Sequence, residues 1–172
     1  MLETEDSRLA RQARKLLKGL PLQLAAPLRV ERAGRHSTLH AGSFLRERRI
    51  ALHCTRAEVP RILVHELFHF AWVKLSNAAR HSYEALLRAE FRAKAAGELG
   101  WSAECRRLEL GPRDVRLRTR RWREYCCESF CDTAAWLYSG VARHDEFTLS
   151  RRLRTRRRAW FVETIESRGL SI

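Results

Sequence analysis

The chain has 172 residues, five cysteines and a formal net charge of +14, almost all from arginine, since Lys15, Lys18, Lys74 and Lys94 are its only lysines. That length suits a single domain, 1–172, with a sizeable core. No segment approaches the ~20 uninterrupted apolar residues of a membrane span and none reads as a signal peptide, so a soluble, cytoplasmic protein is expected.

From about Glu3 to Lys18 the spacing of Leu9, Ala13, Leu16 and Leu17 predicts an amphipathic helix, ended by Gly19 and Pro21. Between Leu22 and Cys54, Pro27, Gly34 and Gly42 punctuate short alternating runs. Leu22–Leu24, Leu28–Glu31, Ser37–His40 and Arg49–His53 are candidate strands of a small, mainly antiparallel sheet. His36, His40 and His53 in this region read as surface or structural residues. Thr55 and Glu58 have capping-box spacing, and Pro60 places the start of the next helix close by. Further helices are expected over Tyr83–Leu99, around Glu128 up to Ser139-Gly140, and over about Leu149–Ser167. A connector, Trp101–Leu117, turns at Gly111-Pro112. The class is α+β: a small sheet followed by a helical half.

Within this order one stretch carries chemistry: Ile62-Leu63-Val64-His65-Glu66-Leu67-Phe68-His69-Phe70-Ala71-Trp72. Its apolar residues mark a buried helix, where two imidazoles and a carboxylate are costly without partners. Residues four apart on a helix lie about 40° apart in azimuth, so His65 and His69 can share one metal ion. Glu66 sits off that line, within reach of a metal-activated water without being a ligand. This is the arrangement that zinc-assisted hydrolysis requires.

A zinc site needs a third protein ligand. Arg123 to Tyr138 reads as a helix in which Glu128 and Asp132 share a face, so one can ligate and the other can accept the free N–H of a ligating imidazole. Glu128 is taken as the ligand and Asp132 as the orienting acid, with Glu124 as a rival one turn earlier. Cys127 and Cys131 offer a thiolate instead. His81, shortly after the motif, is the alternative third ligand or an oxyanion donor; Tyr125, Tyr138, His144 or an arginine are other candidates for the latter role. The cysteines, odd in number and without a Cys-x-x-Cys pair, read as reduced thiols.

His65-Glu66-x-x-His69 followed by Glu128-x-x-x-Asp132 resembles the gluzincin pattern of zinc metallopeptidases. The long interval between the motifs is closer to the CAAX prenyl proteases and heat-shock membrane proteases than to thermolysin. Without transmembrane spans, a soluble minigluzincin is the nearer comparison. The resemblance covers two helices. It implies a zincin-like fold, a Zn2+ cofactor held by His65, His69 and Glu128, Glu66 as general base, Asp132 as orienter, and a peptide or protein substrate aligned along a sheet edge at Arg49–His53 or Ser37–His40. The position of His81 gives a weaker resemblance to the SprT and Spartan proteases, which act at DNA, although the glycines flanking their third histidine are absent. Basic runs at Arg46–Arg49, Arg113–Arg123 and Arg151–Arg158 would attract nucleic acid, or else form solvated outer faces. The run at Arg151 is read as the outer face of a helix packed through Leu153, Trp160, Phe161 and Ile165.

Overall fold

Asp6 opens the first helix. Its carboxylate accepts hydrogen bonds from the N–H groups of Arg8 and Leu9 at 2.9 and 3.0 Å, and α1 (Ser7–Lys18) buries Leu9, Ala10 and Ala13. The computed structural model describes residues 1–33 and 41–172. The candidate strand Ser37–His40, with His36 and His40, lies outside the described residues.

The α+β class is observed, but the sheet is mixed rather than mainly antiparallel. Strands β1 (Leu2–Glu3), β3 (Leu28–Arg32), β5 (Arg49–Leu52) and β4 (Ala41–Phe44) lie side by side in that order. The pairings β1–β3 and β3–β5 are parallel, and only the β4–β5 hairpin is antiparallel. Alternation along a strand fixes which side chains face inward but not the direction of the neighbour. Thus Leu28, Val30, Ile50 and Leu52 are buried as expected, while β5 inserts between β3 and its own hairpin partner. Arg49–Leu52 is therefore internal, and among the described residues the edge strands are β1 and β4. A second, two-stranded parallel sheet joins β2 (Leu22–Gln23) to β6 (Leu170–Ser171). The hairpin turn places Arg48 at φ +48°. Its guanidinium donates to the carbonyls of Pro27 and Ala26 at 2.9 Å each and of Ile172 at 3.3 Å.

Helix α2 (Val59–Lys74) has Pro60 in its first turn, where no N–H is needed. The expected capping box does not form. Glu58 turns its carboxylate to Arg61, at 3.0 and 2.6 Å, and only its backbone N–H reaches Thr55. Helix α3 (Asn77–Arg92) starts earlier than the apolar pattern implied, because Ser76 Oγ caps it by accepting from Ala79 N–H at 3.1 Å. The connector contains two short helices, α4 (Trp101–Leu108) and α5 (Pro112–Leu117). Helix α6 (Arg120–Tyr138) packs along α2 through Phe68, Trp72 and Phe130, with ring centroids 5.2–5.7 Å apart.

Helix α7 (Arg151–Phe161) runs on into a π-helical turn, Val162–Glu166. Its arginines are not all on the outer face. Arg157 is fully buried, 2.6 Å from Glu90 and 2.7 Å from Glu98, and Tyr125 donates to Glu98 at 2.6 Å. Among the described residues, no helix is long and apolar enough to cross a membrane.

Candidate metal centre

The pairing of α2 with α6 brings His65, His69, Glu128 and Asp132 together. His65 Nε2 lies 3.2 Å from His69 Nε2 and 3.3 Å from Glu128 Oε2, and His69 Nε2 lies 3.8 Å from the same oxygen. Ligands 2.0–2.2 Å from a tetrahedral ion stand about 3.3–3.6 Å apart, so this triangle has the dimensions of one face of such a shell. A second triad overlaps it. His65, His69 and Cys131 place ligating atoms within 4.8 Å of one another, a buried group able to hold a metal ion. Cys131 is fully buried and does not line the open cavity of about 250 Å³ that Glu128, His65, His69 and Glu66 border.

Asp132 lies within hydrogen-bond reach of His65, where the sequence expected an orienting acid, and its own support was not foreseen. One carboxylate oxygen lies 2.7 Å from His65 Nδ1, a partner for a proton there, which leaves Nε2 as the nitrogen on the side of His69 and Glu128. The other oxygen accepts from Ala103 N–H at 2.9 Å, in the first turn of α4. The N-cap of α4 is Gly100, which has no side chain to satisfy that turn. Asp132 reaches across from α6 and does so instead, and the positive end of the helix dipole favours its negative charge. A Cβ at residue 100 would stand 2.2–2.4 Å from the Asp132 carboxylate. Only glycine leaves that space.

The second imidazole has a softer partner. His69 Nδ1 lies 3.4 Å from Cys127 Sγ. A hydrogen bond from Cys131, reinforced by His69 against the effect of burial, brings the Cys127 thiol down to about 6. Burial disfavours a charged His65, but the charge and hydrogen bond of Asp132, with help from Glu128, hold its pKa well above the usual imidazole value. Burial likewise raises Glu128, and the hydrogen bond from His65 with the nearby imidazoles outweighs it, leaving the carboxyl below its usual range. A cation at this spot would compete with the proton that His65 holds, while Glu128 is already ionised to receive it.

Glu66 lines both this cavity and a larger cleft of about 970 Å³ that runs past His65, Asp132 and Trp101. Its position is set by Ser43 on β4, whose Oγ lies 2.5 Å from Glu66 Oε2 and 2.8 Å from the Glu66 carbonyl. The edge strand beside the motif helix is therefore Ala41–Phe44. Nothing in Ala41-Gly42-Ser43-Phe44 has the β-branched alternation that would have revealed it. Ser102, at the start of α4, borders both cavities and also carried no sequence signal.

Other candidates lie elsewhere. His81 is exposed on α3 and borders neither cavity, so it is not brought to the imidazole pair. Glu124 pairs with Arg120 and Arg106 at 2.7 and 3.4 Å. Tyr125 is bound to Glu98, Tyr138 to Glu166, and His144 lies 3.3 Å from Glu58. His53 lines the large cleft.

Compared with protein-family models, curated proteins and solved structures, the chain matches none.

Proposed function

We propose that this chain is a zinc-dependent metallopeptidase of gluzincin type, with His65, His69 and Glu128 as ligands and Glu66 as general base. The observation that carries the reading is the triangle of His65 Nε2, His69 Nε2 and Glu128 Oε2, with sides of 3.2, 3.3 and 3.8 Å, on the wall of an open cavity. Glu128 is preferred to Cys131 because Glu128 lines that cavity, while Cys131 is fully buried and does not. Three protein ligands and an open side distinguish a catalytic from a structural zinc site. When bound, zinc supplies Lewis acidity, lowering the pKa of water towards ~7 and polarising a carbonyl.

The chain's own groups do the rest. Ser43 engages Glu66 Oε2, which leaves Oε1 to take a proton from the attacking water and later deliver it to the leaving amine. Asp132 keeps the His65 proton on Nδ1, and Cys127 faces the corresponding nitrogen of His69. Strand β4 offers an edge along which an extended peptide can align by backbone hydrogen bonds. The test is a pair of variants. Glu66→Gln retains about one zinc per chain by elemental analysis and loses hydrolysis of a peptide mixture, whereas His65→Ala loses both. Undiminished hydrolysis by the Glu66 variant would reject the assignment.

A further inference from the structure

Seven large apolar side chains are exposed among the described residues, and two of them border the cavities beside Glu66: Trp101, 66 % exposed, on the large cleft and Leu45, 38 % exposed, on the small one. An exposed indole beside a candidate catalytic carboxylate is costly to keep in water unless something covers it. We propose that Trp101 is a specificity-determining residue, walling a subsite that takes a bulky apolar side chain adjacent to the scissile bond and turns acidic side chains away. The proposal rests on the peptidase reading and names the substrate class that reading leaves open.

Three observations support it. First, the mount of Trp101 is rigid. Its backbone N–H donates to Glu146 at 2.7 Å, Glu146 is held by Arg61 at 2.8 Å, and Gly100 before it and Ala103 two residues after it lie against the Asp132 carboxylate. The backbone that carries the indole is thus already ordered, and a ligand that packs on the ring does not have to order it. Second, the opposite walls are apolar, formed by Ala33, Ala41, Leu52, Cys54 and Ile62, and at about 970 Å³ the cleft holds an aromatic side chain with room for its neighbour.

Third, the cleft offers no unengaged cation among the described residues. Arg61 lies between Glu58 and Glu146, at 2.6 and 2.8 Å. Arg32 is met by Asp6 at 3.3 Å and by the Cys54 carbonyl at 3.2 Å. Glu66 and Asp132 add negative charge to the same wall. A substrate carboxylate placed here meets repulsion and desolvation with no compensating partner. A peptide lying along β4 would pass between the two cavities, so that the residues flanking the cut bond face Trp101 on one side and Leu45 on the other.

The test uses zinc-loaded protein and peptides that differ at one position flanking the cleaved bond. Phe, Trp or Leu at that position should give kcat/KM at least about tenfold above Ala, with Asp and Glu poorest. W101A should remove that advantage, chiefly through KM, so that the ratio of kcat/KM for Phe over Ala peptides falls towards one, and W101F should restore most of it. Equal cleavage of all peptides, or an equal loss for all of them in W101A, would overturn the subsite. If no peptide is cut, the peptidase reading fails on its own. Titration of the same peptides into the protein then decides the subsite: Trp101-dependent, tighter binding of the Phe peptide supports it, and equal or absent binding rejects it.

Discussion

On one face of α6, Glu128 and Asp132 meet His65 and His69 at the wall of an open cavity; on another, Tyr125 and Thr133 border Arg157, Glu90 and Glu98, which are enclosed by protein. Both clusters bury ionisable groups, and they differ in how those groups are satisfied. Every nitrogen of the Arg157 guanidinium finds a carboxylate, and Tyr125 donates to a Glu98 oxygen that Arg157 also engages. Nothing there points at an empty volume. At the other cluster two imidazole nitrogens and a carboxylate oxygen converge, and their best mutual partner is an ion. Closed satisfaction fixes a packing; convergence at an open wall leaves room for an ion, as the proposed function requires.

The largest expected effect breaks the closed cluster. Arg157→Met leaves Glu90 and Glu98 buried beside each other without their cation, and removing one partner of a buried pair costs about 3–5 kcal/mol. Urea or thermal unfolding should show that loss, a large share of the stability of an ordinary domain. An equivalent deletion in the open cluster, Glu128→Gln in zinc-free protein, should move the same midpoint far less.

A smaller effect sharpens the contrast from the open side. Gly100→Ala pushes a methyl group into the Asp132 carboxylate and so disturbs the partner of His65 without touching a ligand. Zinc affinity, measured by chelator competition, should fall about 10- to 100-fold, the usual consequence of losing a hydrogen-bond partner of a ligand. Unchanged affinity would mean that Asp132 contributes nothing to holding the ion.

The smallest effect is in pH dependence. In zinc-free protein the stabilisation from the raised His65 pKa is fully present below about 6.5 and is lost as pH rises through the folded value. That from the depressed Glu128 pKa is present above about 4.5 and is lost as pH falls through its folded value. Zinc binding has the opposite dependence on the His65 proton and strengthens with pH. The difference in Tm between zinc-loaded and chelator-treated protein should therefore widen as pH rises, until the pH passes the raised folded value of His65. A constant difference would remove His65 from the ligand set.

The motif helix and the pairing of Glu128 with Asp132 were legible because a 3.6-residue period places named side chains on one face, whatever they pack against. What supports them was not legible. Ser43 and Gly100 act through contacts between elements far apart in sequence, and neither residue type marks a site by itself. The direction of β3 relative to β5 was hidden for a related reason, since inward alternation reads the same in either sense. Arg157 was misplaced because an arginine run on a helix ordinarily faces solvent, and only Glu90 and Glu98, brought in from α3 and the segment after it, make the buried position tolerable. His81 failed as a ligand when Ser76 capped α3 early and carried it onto an exposed helical turn.

The left-handed turn at Arg48 has one more consequence. A single guanidinium draws together three carbonyls, those of Ala26, Pro27 and Ile172, so the β4–β5 hairpin is pinned at its base to two distant stretches of backbone. Ser43 rides on that hairpin, which makes the tilt of the strand, and with it the seat of the Glu66 carboxylate, answerable to a fastening that touches neither.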